Sequence, residues 1–278
     1  MDVTIDFLKQ LAINIYEKIH PLLGSEEGGV KISPGAGGDI SMNIDLVAEE
    51  LIIQSLEDQE LDILLISEEI GEKYIGNKKN ALLNENILIV DPIDGSNNAT
   101  RGIPYSSISI AYAKGKSIKN IVKAVVIDLY SKDLYWAEEG KGAFLNEKSI
   151  QVSQLDVSDD CFFELNLSNK NLFKYVDKFR SIIKRNYKVR VLGSSALTLC
   201  QIAKGSMEVF INLRESNRLV DVAAGILILK EAGGEIFSIT GGKIEGDLSI
   251  FLKFPFIASN KKLAPYLKTE LCSNNSFL

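Results

Sequence analysis

Apolar side chains recur at helical spacing at Ile5, Leu8, Ala12, Ile15 and Ile19 and stop before Pro21, which predicts a first helix. The same spacing at Ile44, Val47, Ala48, Leu51, Ile52 and Leu56 predicts a second. Between them residues 24–38 are glycine-rich, hold Pro34 and show no period, the pattern of a loop free to move. Residues 61–67 and 87–90 are apolar runs of strand length, and the Lys- and Asn-rich stretch 71–85 reads as a surface connection. Residues 106–113 and 121–130 read as strands turning at Lys114-Gly115-Lys116, and 133–146 as a hairpin bent at Gly140 and Gly142. Strand-like runs then alternate with helix-like ones: strands at 162–167, 189–192, 209–213 and 235–239, helices at 172–184, 196–203 and 219–232. That order predicts layered α/β architecture in two lobes, an N-terminal α+β lobe over 1–140 and a C-terminal α/β lobe over 141–278.

Composition narrows the function classes. Of 278 residues, 46% are hydrophobic and 24% charged, and the net charge of −6 without a basic stripe argues against general nucleic-acid binding. Cys161, Cys200 and Cys272 are odd in number and far apart, so no disulfide framework follows and a reducing compartment is expected. Asp2 and Asp6 stand where a leader would be basic, and no apolar run approaches the roughly 20 residues that span a bilayer. The expectation is a cytoplasmic protein with no membrane partner. Gly115-Lys116-Ser117 lacks the upstream glycine of a phosphate-binding loop, and Gly35-Ala36-Gly37 does not continue into a dinucleotide fingerprint. The lone histidine, His20, sits at a helix end before a proline, which leaves carboxylates, hydroxyls and metal as the available chemistry.

Carboxylates cluster at the tips of apolar runs. Residues 87–90 end in Asp91-Pro92-Ile93-Asp94-Gly95-Ser96, where a Pro-stiffened turn can aim two carboxylates and the Ile93 carbonyl at one point, as Mg²⁺ requires. Pro, Asp and Gly also make ordinary turns. Glu68-Glu69 follow residues 61–67, as metal ligands or as solvated residues at a strand exit. Asp221 opens a small-residue apolar helix, as a ligand or as an N-terminal cap. Gly193-Ser194-Ser195 joins a strand to a helix, an arrangement whose free N–H groups suit an anion.

Taken together, Ser67-Glu68-Glu69, Asp91 through Asn98, Asp221-Val222-Ala223-Ala224-Gly225 and Glu231-Ala232-Gly233-Gly234, with Glu139 through Asn146 between, resemble the inositol monophosphatase and fructose-1,6-bisphosphatase superfamily along almost the whole chain. The resemblance implies a layered αβαβα sugar-phosphatase fold and two or three Mg²⁺ ions held by Glu68, Asp91, the Ile93 carbonyl, Asp94 and Asp221. It places most metal ligands in the first lobe, with Asp221 and the substrate contacts in the second. It gives Ser96, at the family's usual threonine position, a hydroxyl paired with Asp45 to activate water, with Glu68 also catalytic. Gly95, Ser96 and Gly193, Ser194 and Ser195 would hold phosphate and sugar, beside Asp221. Arg214 stands where animal enzymes of the family have a glutamate, and Arg214 through Asp221 looks more like the archaeal enzymes active on both fructose 1,6-bisphosphate and inositol monophosphate. A guanidinium there suits a second phosphate; the alternative is a surface arginine paired with Glu215 or Glu208. The resemblance also implies a homodimer, while the glycine-rich composition of 24–38 and its lead into Asp45 predict a loop that closes over the metals and carries Asp39 towards a third ion, the alternative being a passive surface loop. Other readings are a phosphatase for 3′-phosphoadenosine 5′-phosphate or NADP, and a non-catalytic partner-binding protein on the same scaffold.

Overall fold

The computed structural model describes residues 3–36, 40–158, 160–166 and 188–272. The first apolar period is realised as α1 (Ile5–Ile19), where Thr4 caps the N-terminus by accepting from the Phe7 amide at 3.1 Å. The second becomes α2 (Asn43–Asp58), closed at its start by Asp45, whose Oδ2 accepts from the Met42 amide at 2.8 Å. Between them the expected loop contains a hairpin, β1 (Lys31–Pro34) and β2 (Ile40–Met42). Val30 beside it and Ile32 and Ile40 within it are exposed, while its buried Ser41 is polar, so no apolar period marks it in the sequence.

An eight-stranded sheet follows: β3 (Ile63–Ser67), β4 (Gly71–Ile75), β5 (Asn86–Asp94), β6 (Ser107–Lys114), β7 (Ile121–Asp128), β8 (Leu134–Glu138), β9 (Gly142–Leu145) and β10 (Lys148–Ile150). Their order is β10-β9-β8-β7-β6-β5-β3-β4, and β3 with β5 is its one parallel pair. The sheet thus runs on past residue 140, where the two lobes were expected to meet. The surface connection expected at 71–85 carries β4 and a short helix, α3 (Lys78–Asn84), capped by Asn77. A further short helix, α4 (Ser96–Arg101), follows β5.

A second sheet holds β11 (Phe163–Asn166), β12 (Val189–Arg190), β13 (Val209–Asn212), β14 (Glu235–Ser238) and β15 (Phe256–Ser259), in the order β12-β11-β13-β15-β14. The helix expected at 172–184 lies outside the described residues. The helices Ser195–Ala203 and Ala223–Glu231 form a middle layer between the sheets.

The layers follow from how β5 is buried on both faces. Leu88 and Val90 point towards α1 and α2, whereas Ile87 and Ile89 meet Leu197, Leu199, Leu227 and Ile228 of the middle helices. Phe210 and Phe256 of the second sheet close that middle core. On the far face, Ile211 and Ile257 pack against Leu263 and Leu267. A strand buried on both faces reads as a continuous apolar run rather than an alternation, as 87–90 does. The result is the expected αβαβα layering. Among the described residues, no helix is long and apolar enough to cross a membrane.

Candidate active site

The parallel register of β3 and β5 pairs Ser67 with Val90, so the next residues, Glu68 and Asp91, leave adjacent strands at the same level. Within β5, Asp91 faces Ser109 and Asp94 faces Ser107, three residues against two. That irregularity matters because side chains three apart on a regular strand point to opposite faces, and the extra residue lets both carboxylates reach one cavity. Asp91 Oδ1 also accepts from the Ile93 amide at 3.1 Å, which fixes the turn.

Asp221 arrives from the second half of the chain, in the turn before the Ala223–Glu231 helix rather than within it. Its Oδ2 accepts from the Arg218 amide at 3.2 Å. Carboxylate oxygens of Glu68, Asp91 and Asp221 lie within 4.8 Å of one another. These three line a cavity of about 130 Å³ together with Ile93, Asp94, Gly95, Ser96, Gly193, Ser195 and Arg214. Asp94 is in this cavity but outside the tight trio, and its Oδ2 is already committed to the Ser194 hydroxyl (2.6 Å) and the Ala196 amide (2.7 Å).

Ser194 is the one expected ligand contact that the structure turns away. Its hydroxyl donates to Asp94 and accepts from the Leu197 amide, capping the following helix, and the residue is buried. Gly193 is at φ +92° with Asn98 so close that a Cβ would sit 3.0 Å from its amide nitrogen. Gly95, at φ +92°, would likewise place a Cβ 3.1 Å from the Gly193 carbonyl, so the two glycine turns touch because neither has a side chain. Arg214 lines the cavity and acts electrostatically on Asp221. Asp39 lies outside the described residues.

Burial drives the electrostatics. Asp91 is pushed well up by desolvation, and Glu68, Asp94 and Asp221 add repulsion. Burial raises Glu68 to about 8, although Arg218 pulls it down, and raises Asp94 to about 7, with Asp221 adding to the rise. Asp221 is raised by burial against the opposing pull of Arg218. Asp45 is raised to about 7, again by burial first, with the Met42 amide and the Ser96 hydroxyl bonding its charged form. The Ser96 hydroxyl also lies 2.8 Å from the Ile93 carbonyl, so its one hydrogen serves either that carbonyl or Asp45. Asp45 and Ser96 are therefore neighbours at the cavity's edge.

Sequence reasoning noticed Arg218 without giving it a place. Its Nη2 lies 2.6 Å from Glu68 and its Nε 3.2 Å from Asp221, so one buried guanidinium bridges two of the trio. The signal was its position three residues before Asp221. Asn97, within the Asp91 through Asn98 motif but given no role there, and Asn166, which nothing in its local pattern marked, also line the cavity.

An all-oxygen donor set crowded around one point, carrying more negative charge than one arginine neutralises, is what a hard divalent cation binds. The residues present fit such an ion.

Comparison with known proteins agrees with this geometry. The model of the inositol monophosphatase family matches residues 1–275. A fructose-1,6-bisphosphatase/inositol-1-monophosphatase of Methanothermobacter thermautotrophicus is 37% identical over 259 residues, covering 90% of this chain and 89% of that protein. A bifunctional NADP phosphatase/NAD kinase of Methanococcus maripaludis is 35% identical over 274 residues, and the match spans only 46% of its length against 91% of this chain. Among solved structures, an inositol monophosphatase–fructose 1,6-bisphosphatase superposes with a TM-score of 0.83 at 27% identity, over 96% of this chain and 98% of that one. The inositol monophosphatase of Thermotoga maritima gives 0.77 at 26% identity, over 96% and 95%.

Proposed function

The chain belongs to the inositol monophosphatase family, a family of metal-dependent phosphatases, and from that premise we propose that it is a Mg²⁺-dependent phosphomonoesterase acting on fructose 1,6-bisphosphate and inositol 1-phosphate. The observation that carries this reading is the buried trio of Glu68, Asp91 and Asp221 with two arginines, Arg214 and Arg218, lining the same cavity. Carboxylates to hold cations and guanidinium groups to hold phosphate are the two halves of a phosphate-ester site.

Glu68, Asp91, Asp94, Asp221 and the Ile93 carbonyl would hold two or three Mg²⁺ ions. When bound, they supply an activated water, neutralise phosphate oxygens and stabilise the leaving alkoxide. The chain's own residues orient the rest. Ser96 Oγ accepts a proton from the attacking water while its own passes towards Asp45, whose raised affinity for a proton near neutral pH suits it to receive one. Gly193 and the Ser195 hydroxyl would border the phosphate and sugar, the Gly193 amide being taken by Glu164 and the Ser195 amide by Asp94. Arg214 takes the distal phosphate of a bisphosphate, which favours that substrate over a monophosphate. A homodimer, on the strength of the family resemblance, completes the proposal.

NADP is the second reading, favoured by relatives that join an NADP phosphatase to an NAD kinase. Phosphate release from fructose 1,6-bisphosphate, inositol 1-phosphate, 3′-phosphoadenosine 5′-phosphate and NADP, with and without Mg²⁺, separates the two. Fastest Mg²⁺-dependent turnover of the first two supports the proposal. Preference for NADP replaces it with the second reading, and no turnover of any leaves the scaffold non-catalytic.

A further inference from the structure

Behind the Gly193 turn lies a buried carboxyl group that the reaction itself does not use. Glu164 of β11 is 1% exposed. Its Oε1 accepts from the Leu192 amide at 3.2 Å, and the Gly193 amide also bonds the group. Its Oε2 lies 2.5 Å from Thr198 Oγ1. From the opposite side Asn98 Nδ2 donates to the Leu192 carbonyl and to the Tyr105 carbonyl, each at 2.8 Å. Leu192 is thus gripped at both its amide and its carbonyl, immediately before the residues that line the cavity.

Counting protons on Thr198 shows which form of Glu164 this grip uses. A hydroxyl has one hydrogen to give and two lone pairs to receive with. Thr198 Oγ1 has three oxygen neighbours: Glu164 Oε2, the Ser194 carbonyl at 2.7 Å and the Tyr105 hydroxyl at 3.1 Å. The Ser194 carbonyl can only accept, and an ionised Glu164 could only accept as well, so both would draw on the single hydrogen of Thr198. The Tyr105 hydroxyl, whose pKa burial raises, keeps its proton and donates. An ionised Glu164 would then leave two acceptors competing for one hydrogen. A protonated Glu164 donates instead, and every polar atom in the network is satisfied.

We propose that Glu164 holds a proton and, as a neutral acid, is the positioning residue that sets the turn at residues 192–195 against the substrate cavity. Its surroundings agree. Burial raises its proton affinity, and among the described residues its polar partners are Thr198 and the amides of Leu192 and Gly193. Arg190, opposite it on β12, lays its guanidinium over Phe162 at 5.1 Å, and Phe210 faces it on β13. Asp94 and Cys200 bear on the neighbouring Tyr105. The turn's role in substrate binding rests on the proposed phosphatase function; the protonation of Glu164 does not.

The experiment pairs Glu164→Gln with Glu164→Ala and reads two quantities. The first is the infrared difference between wild type and Glu164→Gln at pH 6, in the absence of substrate. The carbonyl stretch of a protonated carboxyl group is expected in wild type and lost in the variant; carboxylate bands in its place overturn the proposal. The second is hydrolysis of fructose 1,6-bisphosphate. A glutamine amide can donate to Thr198 and accept from Leu192, so Glu164→Gln keeps KM within about threefold, whereas Glu164→Ala raises it on the order of 10-fold with kcat less affected. Equal damage from both variants, or a loss confined to kcat, overturns the positioning role. Should wild type hydrolyse none of the sugar phosphates, the function proposed above fails and the infrared result still decides whether Glu164 carries a proton.

Discussion

Asp91→Asn separates the cost of the site from its use. Asparagine has nearly the same shape, and its carbonyl can still accept from the Ile93 amide, so the turn within β5 survives. What disappears, at a pH high enough to ionise Asp91 against its own raised pKa, is one negative charge among Glu68, Asp94 and Asp221, with Arg218 the bridging cation. At the 4.8 Å span of the trio, two like charges repel by about 3 kcal/mol at an effective dielectric constant of roughly 20. After the loss of attraction to Arg218 is subtracted, the metal-free variant gains on the order of 1–3 kcal/mol. For a chain of this size each kcal/mol is worth about 2–4 °C, so Tm in EDTA rises by roughly 5 °C. The gain is largest at pH 9, above the values of about 7 for Asp94 and about 8 for Glu68, and shrinks at pH 5, where the neighbouring carboxylates are protonated. Activity moves the other way, and loss of a group that stabilises transition-state charge costs on the order of 10²–10³ in kcat. Calorimetry in EDTA at both pH values, beside phosphate release in saturating Mg²⁺, measures both sides. A variant destabilised equally at pH 5 and pH 9, or one that retains near-normal turnover, refutes the reasoning.

Other consequences follow from the same cavity. Arg214→Ala removes a charge-assisted contact worth about 1.5–3 kcal/mol and raises KM for fructose 1,6-bisphosphate well beyond that for inositol 1-phosphate, in steady-state kinetics; equal effects return Arg214 to a general electrostatic role. Arg218→Ala leaves Glu68 and Asp221 unpaired, costs on the order of 3–5 kcal/mol in urea unfolding in EDTA, and loses much of that cost when Mg²⁺ is added. Asp45, Glu68 and Asp94 all have pKa values raised by folding, so the metal-free native state binds more protons than the unfolded chain; its stability is greatest below about pH 4 in this respect and falls as pH rises through 7 to 8. Urea midpoints across pH 4–9 check the sign, and Mg²⁺ flattens the upper limb.

The layered fold was legible wherever burial imposes a period or an uninterrupted apolar run. α1 ends where Pro21 said it should, and the apolar run 87–90 read correctly as a strand, the middle of β5, which the structure buries on both faces. The hairpin of β1 and β2, the strand β4 and the helices α3 and α4 were not legible, because short elements with mostly exposed side chains carry little periodic signal. In the site, residues at strand tips were visible as chemistry, since a carboxylate ending an apolar run is conspicuous. Arg218 was harder: a guanidinium becomes meaningful only once the register of β3 and β5 and the turn at Asp221 place Glu68 on its other side. Ser194 misled for a related reason. Its neighbours Gly193 and Ser195 face the cavity, while its own hydroxyl serves Asp94 and the helix cap, a distinction that depends on side-chain direction rather than on residue type.

The central claim is that Glu68, Asp91 and Asp221 hold divalent cations for phosphate-ester hydrolysis. Crystals grown with Mn²⁺ in place of Mg²⁺ and a non-hydrolysed phosphate, examined by anomalous difference maps, test it most directly. The account predicts at least one strong metal peak within about 2.0–2.3 Å of oxygens from all or most of Glu68, Asp91 and Asp221, with Arg218 turned away from the trio towards the phosphate. Maps showing no metal in this cavity at millimolar Mn²⁺, with Arg218 still bridging Glu68 and Asp221, would contradict it.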